Sequence, residues 1–131
     1  SGQLNEVIFG NDVYEIEDSA FKNCGNLSSF KLNRNIRKLG SQSFSGCSGI
    51  VDIDLSGNIF DEIGESVFSG LGIKTLKTQL ASRSFGAFDI FSNCIRLSSA
   101  DIRSNFIPSG CFAYCPNLKS AKFTFSNIIT R

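Results

Sequence analysis

The chain has 131 residues, 41% hydrophobic and 19% charged, and its 13 basic and 12 acidic side chains leave a formal net charge of +1, the profile of one soluble folded domain. Thirteen residues are Phe, while His, Met and Trp are absent, and without His there is no Ser-His-Asp triad, no Cys-His pair and no His-ligated metal. A charge balance this near zero also lacks the basic excess on which phosphate-backbone binding depends.

In chain order, Ser1-Gly2 together with the missing Met is expected of an excised piece. No apolar run reaches the length of a membrane-spanning helix, and no signal-peptide pattern heads the chain. The first unit runs through a strand-like Leu4/Val7/Phe9, an anchor at Ile16-Glu17 and a Phe21/Cys24 pair. The second repeats it as Leu27/Phe30/Leu32, Leu39-Gly40 and Phe44/Cys47, and the third as Ile50/Ile53/Leu55, Ile63-Gly64 and Phe68/Leu71. The fourth reads Ile73/Leu76/Thr78, Phe85-Gly86 and Phe91/Cys94. In the fifth, Leu97/Ala100/Ile102 leads to either Ile107 or Ser109-Gly110 as anchor and then to Phe112/Cys115. A sixth strand-like copy, Leu118/Ala121/Phe123, has no closing Phe-x-x-Cys.

The Phe-to-Phe spacings are 23, 24, 23 and 21, a fixed period of the kind that marks stacked repeats. Each copy reads as a short strand, an extended return with an apolar anchor, and one helical turn whose i, i+3 spacing sends Phe and Cys to the same side. Asp18-Ser19, Ser41 and Glu65-Ser66 stand where N-caps of such turns are expected. A repeat this short cannot bury its apolar face alone, so copies stack as parallel strands about 4.8 Å apart, with the Phe residues in an interior column.

On Leu27-Ser28-Ser29-Phe30-Lys31-Leu32, Ile36, Leu39-Gly40, Ser43-Phe44 and Cys47, the chain resembles the BspA-like (Treponema pallidum type) class of leucine-rich repeats. The likeness extends over roughly residues 4 to 123. It departs from the class in lacking the Pro after each strand, in Leu71 for Cys, and in residues 78 to 90. The resemblance implies an α/β leucine-rich-repeat solenoid, a right-handed superhelix with a parallel β-sheet on its concave face. About five to six repeats of 21–24 residues are expected, in a single domain over residues 1–131 that is a fragment of a longer array. It also implies a cell-surface or secreted protein of bacteria or protists that adheres to host or neighbouring proteins.

Cys24, Cys47, Cys94 and Cys115 recur at one repeat position, which reads as a column of small buried side chains. The rung-adjacent pairs 24/47 and 94/115 lie near disulfide spacing, but parallel side chains in a ladder often have the wrong orientation. Cys111 precedes Phe112 as Ala20, Ser43, Val67 and Ile90 precede their own Phe, a core-filling place. No metal-type C-x-x-C occurs, and no metal or other cofactor is expected. Asn26-Leu27-Ser28 is a sequon whose Asn reads as a turn residue, and Asn35, Asn58 and Asn105 hold the ladder position that bonds neighbouring turns.

If the apolar strand residues face inward, the residue between the second and third faces out. That column is Ile8, Lys31, Asp54, Lys77, Asp101, Lys122, with charges alternating in sign. Beside it run Glu6, Ser29, Asp52, Thr75, Ser99, Ser120 and then Asn5, Ser28, Val51, Lys74, Ser98, Lys119. The alternation either stabilises the sheet by pairing across rungs or forms a mixed-charge protein-binding strip. Lys31, Asp52, Asp54, Lys74, Lys77, Asp101 and Lys122 are the expected partner-binding residues of a non-catalytic recognition or adhesion module. A structural spacer within a larger surface protein is the alternative. No phosphate track forms on such a strip, so nucleic acid is not an expected partner, and neither is direct membrane insertion. Acidic pairs Asp61-Glu62 and Asp52/Asp54 carry no pocket signature that would make the chain an enzyme. The apolar, uncapped segment Phe123–Ile129 implies further repeats or end-to-end self-association.

Overall fold

Short strands with one apolar edge are buried by stacking, and the chain folds into a parallel β-sheet solenoid of about five turns. The computed structural model describes residues 3–84 and 86–127; Ser1-Gly2, the expected Phe85 anchor and Ile128-Ile129 lie outside the described residues. The strands are β1 (Glu6–Ile8), β2 (Glu15–Ile16), β3 (Ser29–Lys31), β4 (Lys38–Leu39), β5 (Ile59–Phe60), β6 (Glu62–Ile63), β7 (Thr75–Ser82), β8 (Ser99–Ser104) and β9 (Ser120–Phe125). They form three parallel sheets, ordered β1-β3, β2-β4-β6 and β5-β7-β8-β9. The stretch after Thr78, which departs from the repeat pattern, continues β7 as the longest strand.

The expected helical turn at Phe-x-x-Cys is not what forms, and the described residues contain no helix, so only the β part of the expected α/β class is seen. Each corner instead carries two left-handed residues, two before and two after its Phe. They are Ser19 and Asn23, Gln42 and Gly46, Ser66 and Gly70, Asp89 and Asn93, and Gly110 and Tyr114. This alternation turns successive N–H groups in two directions. The N–H groups of Ala20, Lys22 and Cys24 bond carbonyls three residues back, while those of Ser19, Phe21 and Asn23 bond Ser41, Ser43 and Ser45 of the next rung. The same three links recur at each of the four steps between corners, at 2.7 to 3.0 Å. A helical turn would direct its N–H groups along its own axis and leave neighbouring corners without this ladder.

The expected N-caps likewise serve the next rung. Asp18 Oδ1 accepts the Ser41 N–H at 2.8 Å and Ser41 Oγ accepts that of Glu65 at 3.1 Å. The Gly of the anchor is explained by close approach: a Cβ on Gly40 would stand 2.3 Å from Asp18 N, and one on Gly64 2.4 Å from Ser41 N. Glu17 holds the same place in the first rung. The fourth-rung anchor is shifted by one residue from the expected Phe85-Gly86. The corner bonds align Ala87, fully buried, with Gly40 and Gly64, and nothing lies within 4 Å of a Cβ on Gly86. In the fifth rung neither expected anchor fills the place: Ile107 is 71% exposed, Gly110 is a left-handed corner residue, and Pro108 is buried instead.

Inside, Phe21, Phe44, Phe68, Phe91 and Phe112 stack in succession with centroids 5.3, 5.6, 5.7 and 6.2 Å apart and ring planes within 22° of parallel. None of the five cysteines is in a disulfide. Cys24, Cys47, Cys94 and Cys111 are buried, Cys115 is half-buried, and Leu71 fills the third-rung place. Cys47, Cys94 and Cys115 each donate their S–H to the carbonyl of the preceding rung's Phe, at 3.0, 3.6 and 3.3 Å. Burial pushes the Cys47 and Cys94 thiols up to about 11 and raises Cys111 further. Asparagine side chains close the other edge. Asn35 bonds the Asn11 carbonyl, Asn58 those of Asn33 and Ile36, and Asn105 exchanges two bonds with Ser82.

Among the described residues, the outward-face ladder is interrupted between β3 and β7. Residues 50–55, the expected third strand, enter no ladder. There the Leu55 N–H is taken by the Thr78 hydroxyl at 2.7 Å instead of by a strand carbonyl. A polar residue at an inward strand position thereby supplies the acceptor that the missing pairing removed.

Candidate binding face

The outward column follows from the register. Ile8 lies beside Lys31 across β1 and β3, and Lys77, Asp101 and Lys122 lie side by side across β7, β8 and β9. Lys31, Asp54, Lys77 and Lys122 are exposed and Asp101 is half-buried. Asp54 sits in the interrupted segment and turns back on its own chain. Its Oδ1 accepts the Ser56 N–H at 2.9 Å and hydroxyl at 2.6 Å, and these bonds hold its carboxyl below the usual range.

The neighbours of unlike sign do not pair. Among the described residues, ion pairs join Arg37 to Asp61 at 3.1 Å, Arg83 to Asp61 at 3.2 Å and Lys38 to Glu62 at 3.5 Å, and none joins members of the outward column. The cross-rung pairing expected of the column therefore occurs on the return side, on or beside β2-β4-β6. There Glu15, Lys38 and Glu62 are in register, and Asp61 lies between two arginines. This second charged column was not anticipated, although opposite charges at 23- and 24-residue spacing were visible at Glu15/Lys38/Glu62 and Arg37/Asp61.

Two groups of the expected binding residues converge. Lys31, Asp52, Asp54 and Lys77 line a cleft of about 610 Å³ where the ladder is interrupted, with Phe30 and Ile53 in its wall. Asp54, Lys77, Asp101 and Lys122 line a shallower depression of about 500 Å³, joined by Arg103 and Gln79. Lys74 is exposed and lines neither. Arg103 and Gln79 escaped the sequence reading because they follow the strand core, beyond the three apolar positions used to set the register. Among the described residues no group of three or more His, Cys, Asp or Glu is placed to hold a metal ion, and no helix is long and apolar enough to cross a membrane. The face offers exposed charges of both signs, hydroxyls and a partly apolar cleft, a chemistry of non-covalent contact.

A family model described as "BspA type Leucine rich repeat region" matches in six copies, over residues 1–88 and 60–130. No curated protein matches the chain. Among solved structures, a leucine rich cell surface protein from Faecalibacterium prausnitzii is similar at 25% identity and a TM-score of 0.67, over 94% of this chain and 33% of its own. A leucine-rich repeat protein from Bacteroides ovatus is similar at 19% identity and a TM-score of 0.47, over 91% of this chain and 43% of its own. The chain thus spans about a third of the length of the first of these proteins.

Proposed function

Because the chain belongs to the BspA-type leucine-rich-repeat family, we propose that it is a non-catalytic recognition module of a cell-surface protein. It binds another protein through the outward face of β1, β3, β7, β8 and β9, the concave face in the arrangement the family resemblance implies. Its likeness to a leucine rich cell surface protein supports the location.

One observation carries the reading: charges of opposite sign pair in the return-side column and stay apart in the outward one. Partly exposed ion pairs contribute about 0–1 kcal/mol each, so the return-side column accounts for what cross-rung pairing adds to the fold. Lys77, Asp101 and Lys122 remain available to a partner, where complementary charges set specificity and association rate. The test is the double reversal Lys77→Glu/Asp101→Lys. The immobilised chain should retain a defined set of proteins from a solubilised cell-surface fraction, and the variant should lose that set while its Tm moves by no more than about 2 °C. A variant that loses stability and keeps the proteins would overturn the assignment of the face. Retention of nothing by either chain would favour the spacer role.

A further inference from the structure

We propose that the interrupted ladder opens a binding site for an amphipathic anion, a small molecule with an apolar chain or ring and a carboxylate or sulfonate head. Among the described residues β3 is paired to β1 alone, and the chain at 50–55 does not close against it. The opening continues toward the first rung as a cleft of about 600 Å³, within the range of small-molecule sites. Its floor is Val7, Phe9, Phe30 and Leu32. Phe30, in the rung beside the interruption, is only half-buried, whereas Leu76, its counterpart under the closed ladder of β7 and β8, is fully buried; Val7 and Phe9 belong to the first rung and are half-buried, as is Phe123 in the last.

The rim carries Lys31 and Arg34, both exposed and, among the described residues, without an ion pair or side-chain hydrogen bond. Glu6 is the carboxylate lining this cleft, while Asp52 and Asp54 line the adjoining one. Two cations against one anion over an apolar floor select a ligand whose tail displaces water from Phe9 and Phe30 and whose head is met by Lys31 and Arg34. Gly57 stands at the mouth with open space where its Cβ would be and with no left-handed backbone, so nothing in the fold requires a bare backbone there.

The probe is 1-anilinonaphthalene-8-sulfonate, followed by fluorescence and displaced by decanoate below its micellar concentration. One-to-one saturable binding is expected, displaced by decanoate and not by decylamine. Lys31→Glu/Arg34→Glu should weaken it roughly tenfold or more, and Gly57→Phe should abolish it with the Tm retained. The Lys77→Glu/Asp101→Lys chain should bind the probe as the parent does, which separates this site from the proposed protein contact. The site is refuted by non-saturating fluorescence, by equal displacement with decylamine, by binding undiminished in Gly57→Phe, or by retention on anionic phospholipid vesicles without binding of free decanoate.

Discussion

At the residue scale, glycines that look alike in sequence do different work. Gly64 and Gly86 both follow an apolar residue. A methyl group on Gly64 would stand 2.4 Å from the Ser41 backbone nitrogen, and the neighbouring rung cannot yield without breaking its corner bonds. Gly64→Ala should therefore cost about 1–3 kcal/mol in urea unfolding, the usual price of overpacking. Gly86→Ala, with nothing near its Cβ, should change stability by less than about 0.5 kcal/mol. Equal effects would refute the aligned register of Ala87 with Gly40 and Gly64. The one-residue shift was hidden because Phe85-Gly86 repeats the dipeptide pattern, whereas the register is set by backbone bonds such as Ser66 N–H to the Phe88 carbonyl.

At the element scale, the interrupted third strand rests on one side chain. Thr78 is buried, accepts the Leu55 N–H and donates toward Asp54 at 3.4 Å. Thr78→Val keeps the shape and removes the acceptor, leaving a backbone N–H without its partner. A loss of about 1–3 kcal/mol is expected, and Thr78→Ser should recover most of it. A Val variant as stable as the parent would show that the segment finds another acceptor.

The strand copies and their outward residues were legible because alternation needs only apolar spacing, and Lys77, Asp101 and Lys122 fall in register as that spacing requires. The interruption was not legible: Ile50/Ile53/Leu55 fits the pattern as well as its neighbours do. The corners were misread because an i, i+3 pair suits a helical turn and a pair of tight turns alike. Ser19, Gln42 and Ser66 carry left-handed backbone without the Gly or Asn that would announce it.

At the scale of the whole molecule, alkaline stability follows from thiols in separate rungs. In the fold Cys47 and Cys94 hold their protons to about 11, against 9.0 for an unperturbed thiol. The unfolded chain therefore loses these protons first, and this contribution is complete below pH 9 and is lost as pH rises through 11. Between pH 8 and 10.5 each thiol should lower unfolding free energy by about 2 kcal/mol, measured by urea titration under reducing conditions. The double variant Cys47→Val/Cys94→Val should reduce that slope and leave the part owed to the Cys111 and Cys115 thiols, which burial also raises, and an unchanged slope would assign it to other groups. The periodic Phe spacing made the interior ladder readable from sequence. Ionisation and ion pairing were not readable, because they depend on which of several nearby groups a side chain meets, as when Asp54 turns to Ser56.

The bonds between successive corners run along the stacking direction, three at every step. A load applied along that direction reaches the steps in series, so the weakest yields first and the others stay closed. A load applied across it is shared by all corners together. A segment held at both ends is therefore expected to open under tension one step at a time instead of all at once.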